Sequence, residues 1–170
     1  ELIIDPACSV IFEAEKAEQN IMKRQPRNPR EKIFNKSTVK MAVLQGFIVL
    51  IIVAFVFKIG IYIGKTEAAA RALSFTTLII ANLCLILTNR AWSGSLLSTL
   101  KSRNDALWFI IIGAAAFLAA VIYVPFLRSI FSLEALTLAD ISICLSLGML
   151  SILWFEIVKI VLHKKSIQIN

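Results

Sequence analysis

Ala106-Leu-Trp-Phe-Ile-Ile-Ile-Gly-Ala-Ala-Ala-Phe-Leu-Ala-Ala-Val-Ile-Tyr-Val-Pro-Phe-Leu127 carries no charge on any face. At about 1.5 Å of rise per residue, a helix of this length crosses about 30 Å, the thickness of a bilayer's hydrocarbon core. A soluble bundle could bury it only behind amphipathic partners, and the chain around it supplies none. Residues 41–64, 72–88 and 138–163 are apolar blocks that also reach crossing length. With 58% hydrophobic and 17% charged residues and a mean hydropathy of +0.80, the chain is too apolar for an ordinary soluble domain. The pattern predicts an all-α, polytopic membrane helical bundle with four full transmembrane spans.

The net charge of +7 raises the question of nucleic acid, and its distribution answers it. Lys16, Lys23, Arg24, Arg27, Arg30, Lys32, Lys36 and Lys40 precede the first full span; Arg90, Lys101 and Arg103 lie between the second and third; Lys159, Lys164 and Lys165 close the chain. Only Lys58, Lys65, Arg71 and Arg128 fall elsewhere. Retention of cations on one side is the positive-inside signature, so the basic segment, the central loop and the C-terminus should face the cytoplasm. No nucleic-acid patch emerges.

Cys8, Cys84 and Cys144 are odd in number and far apart, which points to small apolar fillers rather than a disulfide framework or zinc site. His163, where the last span meets a basic tail, suits the headgroup region.

Ahead of the spans stands Glu1-Leu-Ile-Ile-Asp5-Pro6. On a helix the two carboxylates share a face about one turn apart and could share a cation. Pro6 has no N–H, leaving the carbonyl of Leu2 without its helical partner. At membrane depth such backbone must face protein or a water-filled cavity, and ionisable groups there are functional by default. The alternative places Glu1 and Asp5 at the interface, and hydropathy does not separate the two. A first residue of glutamate rather than methionine suggests a piece of a longer protein whose preceding helix is incomplete here.

After Glu13-Ala-Glu15-Lys16 comes Asn20-Ile-Met22-Lys-Arg24-Gln-Pro26-Arg27-Asn-Pro29-Arg30-Glu31, whose prolines and charge predict an extended loop. Asp5, Glu13 and this segment resemble the end of the sixth membrane helix and following loop of bacterial, calcium-type P-type ATPases, which carry Asp-Ile-Met-x-Arg-Pro-Pro-Arg-x-Pro there. Asn20 and Gln25 depart from that pattern. The resemblance covers the whole chain as the C-terminal cation-ATPase membrane region; beyond residue 31 it rests on span count and on stretches such as Ala72-Leu-Ser-Phe-Thr-Thr77.

The resemblance implies that Asp5 is the bridging cation ligand and Glu1 a second, matching an Asn-x-x-Thr-Asp type sequence of that family. Ile4 stands where the family can have a threonine, and residues 78–84 lack the acid that the eighth span can supply. Both departures remove ligands from one side of the site. Since Ca²⁺ takes six to eight oxygens in general, one divalent ion per cycle is expected. The resemblance further implies a parent that phosphorylates an aspartate in an Asp-Lys-Thr-Gly-Thr motif using Mg²⁺ and ATP, exporting a cation, most readily Ca²⁺. That motif does not occur in this chain, so no ATP hydrolysis is expected of it alone.

Within the spans, Gly60-x-x-x-Gly64 suggests close helix packing, Lys58 can snorkel, and the short turn at Gly64-Lys-Thr-Glu67 predicts an antiparallel helix pair. Ser74, Thr76, Thr77 and Asn82 make residues 72–88 the most polar span, with hydroxyls expected on backbone or neighbouring helices; Asn82 is a neutral candidate ligand off the family positions. Asn104-Asp105 should cap the third span, Gly113 to Ala116 with Ala119 and Ala120 form a small-residue face suited to a neighbour, and Pro125 should bend or end the helix. Asp140 and Glu156 are expected in solvated or interfacial positions, Glu156 within reach of Lys159.

Three regions result: residues 1–12, the end of a membrane helix carrying cation ligands; 13–40, a basic cytoplasmic loop; and 41–170, the four-span region. The expected partners are the lipid bilayer, the preceding membrane helices and the cytoplasmic catalytic domains of the parent, which the loop would touch. The expected location is the cell membrane. A reading from another class is a secondary transporter or four-span membrane scaffold with no ATPase, in which Glu1 and Asp5 are proton-coupled or structural.

Overall fold

The computed structural model describes residues 9–11, 13–14, 36–90 and 105–151, and among these all regular structure is helical. Helix α1 is Lys36–Tyr62, α2 Glu67–Arg90, α3 Asp105–Tyr123 and α4 Pro125–Ile130. Helix α5, Leu138–Ser151, follows. The first three contain stretches long and apolar enough to cross a membrane, Val39–Tyr62, Glu67–Asn89 and Asp105–Tyr123, whereas α5 is a shorter apolar helix. The rest of the predicted fourth span, with Glu156, Lys159 and His163, lies outside the described residues, as do Asn104 and residues 91–103.

Helix α2 is central: half of its span is buried, against 11% for α1 and 17% for α3. Its alanines make this so, because small side chains let neighbouring backbones approach in an apolar solvent that gives helices little other reason to associate. Ala70, Ala72 and Ala81 are wholly buried. Against α1, a Cβ placed on Gly60 would lie 3.1 Å from the Ala70 Cβ. Further along, the Ser74 hydroxyl donates to the Val53 carbonyl at 3.4 Å, and Gln45 Nε2 donates to Asn89 Oδ1 at 3.3 Å. The pairs run in opposite chain directions, which makes α1 and α2 the expected antiparallel hairpin. Helix α5 crosses α2 where a Cβ on Gly148 would meet the Ile80 side chain, its Cβ only 3.0 Å away. Val56, Ala72, Leu73, Ile122, Leu136 and Cys144 close one core drawn from α1, α2, α3, the loop before α5, and α5 itself.

Two turns of the same chemistry connect these elements. Gly64, at φ +82, ends α1 with its N–H on the Ile61 carbonyl and the Lys65 N–H on the Gly60 carbonyl, both 3.0 Å; this is the paired bonding of a Schellman cap, which requires a left-handed residue. Of the Gly60-x-x-x-Gly64 pair, then, Gly60 serves close packing and Gly64 serves chain reversal. Ser132, at φ 51, does the same after α4: its N–H reaches the Ser129 carbonyl at 3.2 Å and that of Leu133 the Arg128 carbonyl at 3.0 Å. Leu133 is thereby turned onto the core. Pro125 ends α3 as expected, with Val124 held extended (φ −78, ψ 118) because proline disfavours the helical region in the residue before it.

The two reversals meet in a polar clasp. Lys65 Nζ lies 2.9 Å from both Asp140 carboxylate oxygens. Thr66 caps α2, its hydroxyl oxygen accepting the Ala69 N–H at 3.1 Å while its O–H donates to Glu134. Thr137 and Asp140 form a reciprocal capping box at the start of α5: the Asp140 N–H reaches Thr137 Oγ1 at 3.3 Å, and Asp140 Oδ2 accepts the Thr137 N–H at 3.1 Å and its hydroxyl at 2.9 Å. Asp140 is 5% exposed, which excludes the solvated one of the two positions, solvated or interfacial, that the sequence allowed; Lys65, 75 residues away in sequence, supplies the compensating charge. The Tyr123 hydroxyl closes the same end on the Leu136 carbonyl at 3.0 Å.

Two sets of substitutions test this packing. Gly148→Ala should lower stability by about 1–3 kcal/mol through overpacking, since a β-branched Ile80 has little rotamer freedom in a helix. Adding Ile80→Ala should restore part of the loss in detergent thermal melts. Lys65→Met should cost about 2–3 kcal/mol, as it strands a buried carboxylate. Asp140→Asn should cost less than Lys65→Met, and the double variant less than the sum of the two, in the same melts.

Candidate functional site

Glu1 and Asp5, with Pro6 and Cys8, lie outside the described residues, as do residues 15–35 of the basic loop. What the structure adds concerns the described residues. Among the described residues no three His, Cys, Asp or Glu side chains gather as a metal would require. Glu67 is paired with Arg71 at 2.7 Å, Glu134 receives the Thr66 hydroxyl, and Asp140 is held by Lys65 and Thr137. These carboxylates are committed to helix ends.

The polar span behaves largely as its sequence suggested. The Thr77 and Thr88 hydroxyls donate to the carbonyls of Leu73 and Cys84 at 2.8 and 3.0 Å, and Ser74 bonds across to α1. Thr76 Oγ1 is buried without a hydrogen bond. Asn82 is half-buried on α2. Cys84 and Cys144 are free and buried, and Cys144 Sγ lies 3.5 Å from the Leu73 carbonyl. They are packing residues, as expected. The small-residue face of α3 is different: nothing stands within 4 Å of a Cβ built on Gly113, and α3 buries Leu107, Val121 and Ile122 instead.

Two features escaped the sequence. One is the Lys65–Asp140 pair, whose only signal was opposite charge at matching ends of the second and fourth predicted spans. The other is Ile11. In the short stretch that follows Asp5, Ser9, Val10, Glu13 and Ala14 are exposed while Ile11 is wholly buried. It packs with Ile86 of α2 and Leu107 of α3, ringed by Leu83, Leu87, Ile110 and Ile111. Among the described residues of this segment, Ile11 joins it to the helix bundle.

Comparison with known proteins is consistent with this arrangement. Residues 1–161 match the family model for the cation transporting ATPase C-terminus. A calcium-transporting ATPase of Listeria monocytogenes is 32% identical over 171 residues, covering 96% of this chain and 18% of that protein. A calcium-transporting ATPase of Bacillus subtilis is 28% identical over 141 residues, covering 82% of this chain and 16% of that protein. The chain therefore spans less than a fifth of the length of these relatives. Helices of crossing length and a match across nearly the whole sequence lead to one conclusion: this chain is a multi-pass membrane protein belonging to the cation-transporting ATPase family, matching its C-terminal region.

Proposed function

We propose that this chain is the C-terminal membrane part of an ATP-driven cation pump, in which residues 1–12 end a membrane helix bearing Glu1 and Asp5 as cation ligands, residues 13–40 form a cytoplasmic loop, and residues 41–170 form four spans. The observation that carries the reading is the family match, which begins at residue 1 and so takes in Glu1, Asp5 and the Asn20–Glu31 loop together. The engagement of Glu67, Glu134 and Asp140 in helix-end contacts supports the assignment of the ion to the first two acids. Ca²⁺ is the cargo this reading favours, from carboxylate chemistry and from the names of both relatives. The absence of a side-chain oxygen at Ile4 and of an acid over residues 78–84 supports one ion per cycle.

In this reading the cytoplasmic catalytic domains, with ATP and Mg²⁺, belong to the parent chain, and the basic loop contacts them. The clasp around Lys65 and Asp140 sits on the outer surface, opposite the cations of residues 16–40 and the C-terminus, in keeping with the positive-inside rule. Exposed side chains such as Phe109 and Phe126 face lipid or the remaining helices of the parent.

In the whole protein, Asp5→Asn should lower apparent Ca²⁺ affinity in transport by about tenfold or more, equivalent to about 1.4 kcal/mol; unchanged transport removes Asp5 from the site. Simultaneous measurement of transported Ca²⁺ and hydrolysed ATP should return a ratio of one, and a ratio of two refutes the loss of the second ion. For sidedness, a cysteine at Ala135 should react with an impermeant maleimide in intact cells and one at Asn28 only after permeabilisation; the reverse pattern inverts the topology.

A further inference from the structure

We propose that Arg128, on α4, binds the phosphate of an anionic phospholipid, whose acyl chains lie against the exposed apolar residues beside it. This stands apart from the reading of Glu1 and Asp5 and uses the described residues alone. Three observations carry it. First, Arg128 is partly covered, and among the described residues its side chain has neither a hydrogen-bond nor an ion-pair partner. The acids at the same end of the bundle are engaged elsewhere: Glu67 with Arg71, Asp140 with Lys65, and Glu134 with the Thr66 hydroxyl. Second, the backbone fixes where the side chain starts. The Arg128 N–H bonds to the Val124 carbonyl at 2.9 Å, and the Arg128 carbonyl accepts the Leu133 N–H at 3.0 Å. Leu133 adjoins Glu134, so Arg128 sits beside the polar clasp that closes this end. Third, its neighbours along the chain present an apolar surface: Val124, Phe126 and Ile130 are exposed, the last two at 73% and 60%.

This combination suits a lipid headgroup. The aliphatic stem of an arginine lies along apolar surface while its head reaches the headgroup layer. The abundant anion there is the lipid phosphodiester, and a guanidinium, weakly hydrated and with its donors in a fixed fork, meets two phosphate oxygens at once. Because the described acids at that end already have partners, the ammonium of a zwitterionic headgroup finds no matching carboxylate, and charge balance favours a lipid of net negative charge. Phe126 and Ile130 set this ligand apart from a free phosphate, since acyl chains gain dispersion contact with them and a small soluble anion does not. Lys58, near the same end of α1, supplies the comparison. It too has no partner among the described residues, but it is exposed, and fixing so flexible a side chain on a phosphate costs rotamer freedom. It meets lipid as a mobile point charge.

The test is a lipid titration of the whole protein, purified and delipidated in detergent, read as melting temperature against added phosphatidylglycerol. The parent should be stabilised saturably, and phosphatidylcholine or soluble glycerol 3-phosphate should stabilise it less. Arg128→Gln should raise the half-saturating phosphatidylglycerol concentration about tenfold. Arg128→Lys should fall between, because it keeps the charge and loses the fork, and Lys58→Gln should match the parent. An unchanged titration in Arg128→Gln overturns the proposal, and so does an equal loss in Lys58→Gln, which would show diffuse charge attraction. Equal stabilisation by phosphatidylcholine refutes the selection for negative charge, equal stabilisation by glycerol 3-phosphate makes the ligand a free phosphate, and the lack of a saturable response in the parent removes the site. If Arg128→Gln is not recovered folded, Arg128→Lys decides: a raised half-saturating concentration supports the site and an unchanged one overturns it.

Discussion

In a solvent as apolar as their own side chains, helices gain little by hiding leucine from lipid, and the fold depends on where the backbones can come close and where polar groups can find partners. Helix α2 satisfies both conditions. Its alanines at 70, 72 and 81 admit α1 and α5, and its hydroxyls at Ser74, Thr77 and Thr88 are bonded to carbonyls within or across helices. The most polar span therefore sits at the centre and the most apolar ones at the periphery, where Leu50, Phe55, Phe109 and Ile112 are exposed. Gly60 and Gly148 mark the closest approaches.

The polar clasp complements this packing at the end where α1 turns into α2. Packing along smooth apolar helices leaves sliding and rotation weakly opposed, whereas a carboxylate held by one ammonium and two Thr137 donors has a single arrangement. Because Lys65 and Thr66 follow the left-handed Gly64 and Glu134 follows the left-handed Ser132, the backbone reversals deliver these side chains to one another. Ser132 adopts that conformation at a cost of roughly 1–2 kcal/mol relative to a right-handed residue, which the two bonds it makes possible help offset.

The described helices are joined by close approaches at Gly60 and Gly148, by the caps at the two reversals and by the Lys65–Asp140 pair. Ile11 is where the described part of the first segment touches them.

Much was legible in the sequence because the physics concerned is local. Three apolar helices of crossing length follow from hydropathy alone, the break at Pro125 from a missing N–H, and the hairpin from the brevity of the Gly64–Glu67 turn; the candidate ligands Glu1 and Asp5 lie outside the described residues. The tertiary structure decided what depends on separation in space. Asp140 finds its partner in Lys65, 75 residues away, Gly60 and Gly64 look like one motif until their backbones differ, α3 buries Leu107, Val121 and Ile122 within this chain, and Ile11 is one apolar residue among many until α2 and α3 close around it. Composition and periodicity report how a residue meets its solvent; which residue it meets is set by chain geometry acting over distances that sequence spacing does not encode.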